Sequence, residues 1–491
     1  MVFSLFFSSS TSISNRIASL REAEASLIEY AKTRFLPDKS HDASHHEFEL
    51  FDVPIPSPLT LNSKCKVFDD ENEHKLHGVS VINKRRVDSD QSPPLVLLHG
   101  YCNGSSYFYR NFMGLSHYHF PRIYALDMYG WGLSSRPDFD LDQLETDVQH
   151  AVDDTKEDKE AKRKVACAEK FFVESLESWR KYNKIPKMTL AGHSMGGYLS
   201  VAYAEKYPQH VDRLILLSPV GIPEKTEEDE HFMASVPFYV RGIFKTVRCM
   251  FEYGITPGAF LRSLPYSKSK AMVEGYIARR LPSIQCEQEK ASLGEYLYQN
   301  SMLPGSGEYC LSYILTSGAF ARLPLVKRIT DIKSDDEKGM EIHFIFGEQD
   351  WMDYRGGLDT QRLCFQKRTE MLREQKNLPA AAQVSLPPRV FVHGVRDAGH
   401  LLMLDNHDEF NAAVVIAAGG ESNLPPGFPK PIEFVCDEVM AAGDKESLSR
   451  GSKCDVRSEA AAAQFFQRMR RFKTVKNDDD ATMDEKKAEV A

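Results

Sequence analysis

The chain has no excess of positive charge, no Cys-x-x-Cys pair, no membrane-length apolar run and no internal repeat. Each absence removes a class of function. The net charge of −9 disfavours nucleic acid as the main partner, because phosphate binding calls for a basic surface. The nine cysteines are odd in number and scattered over 491 residues. A chain of this length needs no disulfide staples, so they read as reduced thiols in an intracellular protein. No apolar run approaches the roughly 18 residues of a membrane-spanning helix. His41, His45 and His46 lack the spacing and supporting ligands of a zinc site, so a polar loop is expected there and no metal. Met1–Leu20 contains no acidic residue, and no positive charge precedes its Val2–Phe7 apolar run. That argues against a secretory signal. The serines, with Phe3, Phe6, Phe7 and Arg16, suit a mitochondrial presequence or a shallow membrane anchor. Residues 1–45 are therefore read as a targeting or membrane-docking segment.

A hydrophobic content of 42% suffices for a substantial core. From Pro93 onward, apolar runs alternate with helical patterns, which predicts a mostly parallel sheet covered on both faces. The predicted strands are 95–98, 122–127, 188–191, 214–217, 341–346 and 389–392, with earlier ones inside 48–81. Residues 138–164 are dense in charge and read as a solvated loop or exposed helix. The core is thus expected in two parts, 46–220 and 330–418. Between them, residues 221–329 carry Phe238, Phe244, Phe251 and Phe260, too apolar for a floppy loop, and fit a cap over an active site. Residues 353–388 read as an insertion with a helix around 361–375. Residues 419–491 read as a flexible charged tail. Within it, Phe465, Met469 and Phe472 share a helix face among arginines and lysines, the pattern of a basic amphipathic helix.

The chemistry concentrates at Gly192-His193-Ser194-Met195-Gly196-Gly197. Gly192-x-Ser194-x-Gly196 after a strand and before a helix is the nucleophile-elbow pattern, which thrusts the serine out on a strained turn. A serine hydroxyl keeps its proton at neutral pH, so it needs a base and the base needs an orienting acid. In the α/β-hydrolase fold the chain order is serine, acid, histidine. Asp350, in the loop after the 341–346 strand, is the expected acid; Glu348 and Asp353 on the same loop are its rivals. His400, after the last core strand, is the expected base. His193 is expected to pack behind the turn. The oxyanion hole requires two backbone N–H groups; Met195 supplies one, and Tyr101, in the turn after His99-Gly100, the other. Asn103-Gly104-Ser105 is formally a glycosylation sequon, but a glycan there would block the site. No cofactor is needed.

The span from about Thr11 to Phe410 resembles the α/β-hydrolase subfamily of the adipose triglyceride lipase coactivator, N-acylphosphatidylethanolamine lipase and phospholipid or cardiolipin deacylases. The matching stretches are Leu20-Arg21-Glu22-Ala23-Glu24, Pro94–Gly100, Asp127–Pro137, Gly192–Gly197, Glu295-Tyr296-Leu297-Tyr298 and Ala398–Phe410. The first and fifth are the most particular to this subfamily. The resemblance implies a lipid substrate and chemistry at a membrane surface, and the sequence leaves mitochondrion, lipid-droplet surface and cytosol open as compartments. It implies hydrolysis of phospholipid or acylglycerol esters, with lysophosphatidic acid acyltransfer or a non-catalytic coactivator role as alternatives. The coactivator carries Asn at the nucleophile position, where this chain keeps Ser194. The family's His-x4-Asp pattern is matched by His400 and Asp405, and acyltransferase activity has been attributed to it. One imidazole serves two acids poorly, so Asp405 is expected to shape the start of the last helix instead.

Overall fold

Leu95-Val96-Leu97-Leu98 shows how the sheet is built. All four side chains are buried. Leu95 and Leu97 join the core on one face, and Val96 and Leu98 the core on the other, the period-2 alternation of a strand covered twice. The computed structural model describes residues 10–35, 43–56, 74–138, 154–226, 255–316, 319–376, 384–442 and 455–466.

Ten strands form one sheet: β1 (His46–Ile55), β2 (His74–Asn83), β3 (Leu95–Leu98), β4 (Arg122–Leu126), β5 (Met188–His193), β6 (Val211–Leu217), β7 (Glu341–Gly347), β8 (Arg389–Val395), β9 (Ile432–Val435) and β10 (Asp455–Ser458). Their order is β1-β2-β4-β3-β5-β6-β7-β8-β9-β10. The six from β4 through β8 are parallel. β1 and β2 flank them as an antiparallel pair, and β9 closes antiparallel on β8. This is the α/β-hydrolase architecture expected from the sequence.

Among the described residues, the helices of seven residues or more are α1 (Ser10–Arg34), α2 (Phe112–Tyr118), α3 (Lys156–Tyr182), α4 (Met195–Lys206), α5 (Pro257–Ser263), α6 (Tyr266–Arg280), α7 (Glu287–Met302), α8 (Arg355–Gln375), α9 (His407–Ala417) and α10 (Glu459–Phe466). One face of the sheet is covered by α3, α4, α8 and α10, the other by α1, α2, α6, α7 and α9. α3 starts with a capping box between Thr155 and Asp158 and ends with Arg180 and Lys181, charges matched to the helix dipole. It therefore draws 156–164 of the charged segment into one long helix.

Three regions differ from the expectations. Residues 10–34 form a helix that buries Leu20, Leu27, Ile28 and Ala31; residues 1–9 lie outside the described ones. α8 begins at Arg355, six residues before Gln361, and is the crossover that returns the chain from β7 to parallel β8, a connection parallel strands require. From the expected tail, β9 and β10 extend the sheet. Phe465 and Phe466 pack on Phe434, so Phe465 faces the core rather than a membrane. Four-residue strands after a Pro- and Gly-rich stretch leave too short a pattern to read. Met469 and Phe472 lie outside the described residues.

Candidate active site

β5 ends at His193 and α4 begins at Met195, leaving Ser194 alone between them at φ 54°, ψ −113°. A non-glycine residue there stores roughly 1–3 kcal/mol of strain. Its surroundings hold it: the Ser194 N–H donates to the Leu217 carbonyl (2.9 Å), and its carbonyl accepts from Gly197 N (3.0 Å). The flanking glycines are required by space. A Cβ on Gly196 would sit 2.5 Å from the Leu98 carbonyl oxygen, and one on Gly192 would strike the Gly196 carbonyl.

The structure brings three distant residues together. Ser194 Oγ lies 3.1 Å from His400 Nε2, and His400 Nδ1 lies 3.1 Å from Asp350 Oδ1. Burial opposes ionisation of Asp350, but the His400 imidazole and the Met352 N–H hold its carboxyl below the ordinary range. A carboxylate so placed fixes the tautomer that leaves Nε2 free to accept the serine proton. Both rivals are engaged elsewhere. Glu348 accepts from the Asp397 N–H, and Asp353 pairs with Arg355.

His193 is buried, with its ring centroid 4.8 Å from that of His400. Its Nε2–H donates to the His400 carbonyl (2.8 Å). Burial, together with His400, lowers its pKa to about 3, so it is a neutral brace for the base. Asp405 braces the same loop: Oδ2 accepts the Gly399 N–H (2.9 Å) and Oδ1 accepts from Ser283 of the cap (3.2 Å). The expectation that Asp405 shapes the start of the last helix is corrected. Asn406 caps α9, accepting from Glu409 N, because Asp405 ends the preceding short helix with its side chain turned to the loop. The ring nitrogens of His400 are occupied by Asp350 and Ser194.

Met195 opens α4, so its N–H has no intrahelical acceptor. Gly100 lies against the nucleophile: a Cβ there would come within 3.1 Å of Ser194 Cβ. This puts the His99–Tyr101 turn beside Ser194. His99 fixes the turn, with Nδ1–H donating to the Gly100 carbonyl (2.7 Å) and Nε2 accepting the Met128 N–H (3.1 Å). Burial lowers its pKa to about 4, which keeps it neutral. Asn103 of the sequon is buried. Trp351, which sequence reasoning passed over although it follows Asp350, stands half-exposed with its ring 5.1 Å from that of His400.

Glu24, His77 and Asp127 are buried and close enough for a shared cation, with potential ligand atoms within 4.8 Å of one another. The donor set does not suit a metal. His77 bonds Glu24 through Nε2 and Asp52 through Nδ1, both at 2.8 Å. Burial disfavours its charge, yet the Glu24 and Asp52 carboxylates override burial and raise its pKa to about 10. An imidazolium has no lone pair to give a metal.

A family model described as alpha/beta hydrolase fold matches residues 93–407. The chain belongs to the α/β-hydrolase fold family. Among its relatives, it is 31% identical over 340 residues to the probable 1-acylglycerol-3-phosphate O-acyltransferase of Oryza sativa subsp. japonica, covering 68% of this chain and 69% of the relative. It is 29% identical to the 1-acylglycerol-3-phosphate O-acyltransferase ABHD5 of Mus musculus, covering 70% and 83%. It is 27% identical to the 1-acylglycerol-3-phosphate O-acyltransferase ICT1 of Saccharomyces cerevisiae, covering 66% and 81%. These relatives place it in the lipase-coactivator subfamily of the α/β hydrolases.

Proposed function

We propose that the protein is a serine-dependent acyl-ester hydrolase that acts on phospholipids or acylglycerols through an acyl-serine. The observation that carries this reading is the Ser194–His400–Asp350 chain, with both links at 3.1 Å. Ser194 Oγ attacks the ester carbonyl while His400 Nε2 takes its proton. The tetrahedral oxyanion is held by the Met195 and Tyr101 amides. His400 returns the proton to the departing alcohol, and water, activated by the same imidazole, then releases the acid. An aliphatic acyl chain suits an apolar cap, since each buried methylene contributes roughly 0.8 kcal/mol.

A membrane surface is the proposed source of substrate. Among the described residues no helix is long and apolar enough to cross a bilayer. The cap instead exposes Phe260, Tyr266, Met272 and Tyr276, interleaved with exposed Lys268, Arg279 and Arg280. That pattern supports peripheral docking on an anionic interface. Mitochondrial and lipid-droplet surfaces both offer one.

The names of the relatives favour a second reading, acyl transfer to lysophosphatidic acid. In this chain it would use the same acyl-serine, with the acceptor hydroxyl in place of water, since His400 is committed to Asp350. A non-catalytic coactivator role is disfavoured by the presence of Ser194.

A fluorophosphonate probe should label the wild type at Ser194 and leave Ser194→Ala unlabelled. The variant should also lose ester cleavage. Full cleavage by Ser194→Ala overturns the hydrolase reading. Product analysis with a labelled acyl donor and lysophosphatidic acid separates the routes: free fatty acid alone excludes transfer.

A further inference from the structure

Leu20–Glu24 and Glu295–Tyr298 are more than 250 residues apart in the chain. They converge on one short segment, Gly104-Ser105-Ser106. This segment directly follows the turn that carries Tyr101. Glu24, on α1, is buried. Its Oε1 accepts from Ser106 Oγ (2.9 Å) and from Ser105 Oγ (3.3 Å), and its Oε2 meets the His77 imidazolium at 2.8 Å. From the end of β4, Asp127 accepts the Ser105 N–H at 2.6 Å. From the cap, the Tyr296 hydroxyl lies where a Cβ on Gly104 would strike it, and Asn300 Nδ2 donates to the Asn103 carbonyl (3.1 Å).

The segment needs this grip. Cys102, between Tyr101 and the anchors, has φ 62°, a left-handed conformation that costs a residue with a side chain roughly 1–3 kcal/mol. A strained turn persists only where its surroundings over-determine it. An amide that stabilises an oxyanion must also be held to about half an ångström. Both serine hydroxyls are spent on Glu24 Oε1, and its Oε2 meets the imidazolium behind it. Desolvating a carboxylate without such partners would cost several kcal/mol. The arrangement therefore places a costly buried charge where it reaches the backbone next to the nucleophile.

We propose that Glu24, acting through Ser105 and Ser106, is a positioning residue for the oxyanion turn, which makes α1 part of the catalytic unit. This rests on the acyl-serine reading above. The decisive variants are Ser106→Ala, which removes a single hydroxyl, and Glu24→Gln, which removes the charge at constant shape, both in the full chain. Active sites are counted by fluorophosphonate titration. Turnover of a p-nitrophenyl ester and inhibition by an alkyl trifluoromethyl ketone, which forms a serine-bound oxyanion, are then measured.

Removal of an oxyanion donor typically costs about 100- to 1,000-fold. Displacing one should lower kcat per titrated site about tenfold or more, with KM within about twofold, and weaken the ketone by the same factor. A merely structural Glu24 would lower the titrated fraction or the melting temperature and leave kcat per site intact. That result overturns the proposal while the hydrolase reading stands. If the wild type itself neither labels at Ser194 nor turns over ester, both fall together. If Glu24→Gln does not fold, Ser106→Ala alone decides.

Discussion

At the scale of single residues, the site is a set of narrow tolerances. Asp350→Asn keeps the shape of the acid but presents His400 with an amide, so the tautomer that leaves Nε2 free is no longer favoured. We expect kcat to fall by about 10³- to 10⁴-fold with the fold intact; steady-state kinetics within tenfold of wild type would remove Asp350 from the proposed triad. Gly196→Ala is expected to fail differently, by collision of the new Cβ with the Leu98 and His99 carbonyl oxygens at 2.5 and 2.6 Å. Overpacking of this kind costs typically 1–3 kcal/mol, so a melting temperature unchanged from wild type would contradict that close approach. Ser194, Asp350 and His400 were legible because each follows a strand whose apolar run can be counted, and strand ends in a parallel sheet share one edge. The braces were not. His193 meets the His400 carbonyl across 207 positions, and His77 meets Glu24 across 53. Nothing in local pattern pairs residues so far apart.

At the scale of elements, periodicity served the central strands well and the edges poorly. β3 matched residue for residue because all four of its positions are apolar and Pro94 and His99-Gly100 bound it. β6 begins at Val211 rather than Leu214 because Asp212 and Arg213 interrupt the apolar run. β9 and β10 were lost in a stretch of Gly, Pro and charge, although Ile432, Phe434 and Val435 are fully enclosed. The cap is the element whose surface carries a proposal. Phe260 and Met272, neither of them in the proposed triad, expose 46% and 45% of their surface. Replacing both with Asp should therefore spare turnover of a soluble short-chain ester. It should also weaken binding to vesicles of phosphatidylcholine and phosphatidic acid about tenfold or more, measured by co-sedimentation, since burying the exposed half of both side chains in the interface is worth roughly 1.5–3 kcal/mol together. Unchanged vesicle binding would move the docking surface away from α5 and α6.

At the scale of the whole molecule, buried histidines make stability depend on pH from both sides. His99 and His393 are buried neutral, each with its pKa lowered to about 4 by desolvation. His343, stacked on His393, is pushed down by burial and by that neighbour. In the unfolded chain these groups titrate near 6.5. The unfolded state therefore binds protons first as pH falls, and stability present above pH 6.5 is lost progressively toward pH 4. At pH 5 the loss is on the order of 2 kcal/mol for a group shifted to about 4. His77 acts in the opposite sense. Its pKa is raised to about 10, so its contribution is complete below pH 6.5 and is lost as pH rises toward 10. Urea unfolding followed across pH 4.5–9.5 should accordingly show a maximum between these limbs. The two limbs have separate owners. His343→Phe, which keeps a ring stacked on Phe391, should make the acid limb shallower, with His99, His193 and His393 still contributing to it, and leave the alkaline one. Glu24→Gln, by withdrawing a carboxylate from His77, should flatten the alkaline limb and leave the acid one. Identical changes in both limbs for either variant would mean that global charge, rather than these buried imidazoles, sets the profile.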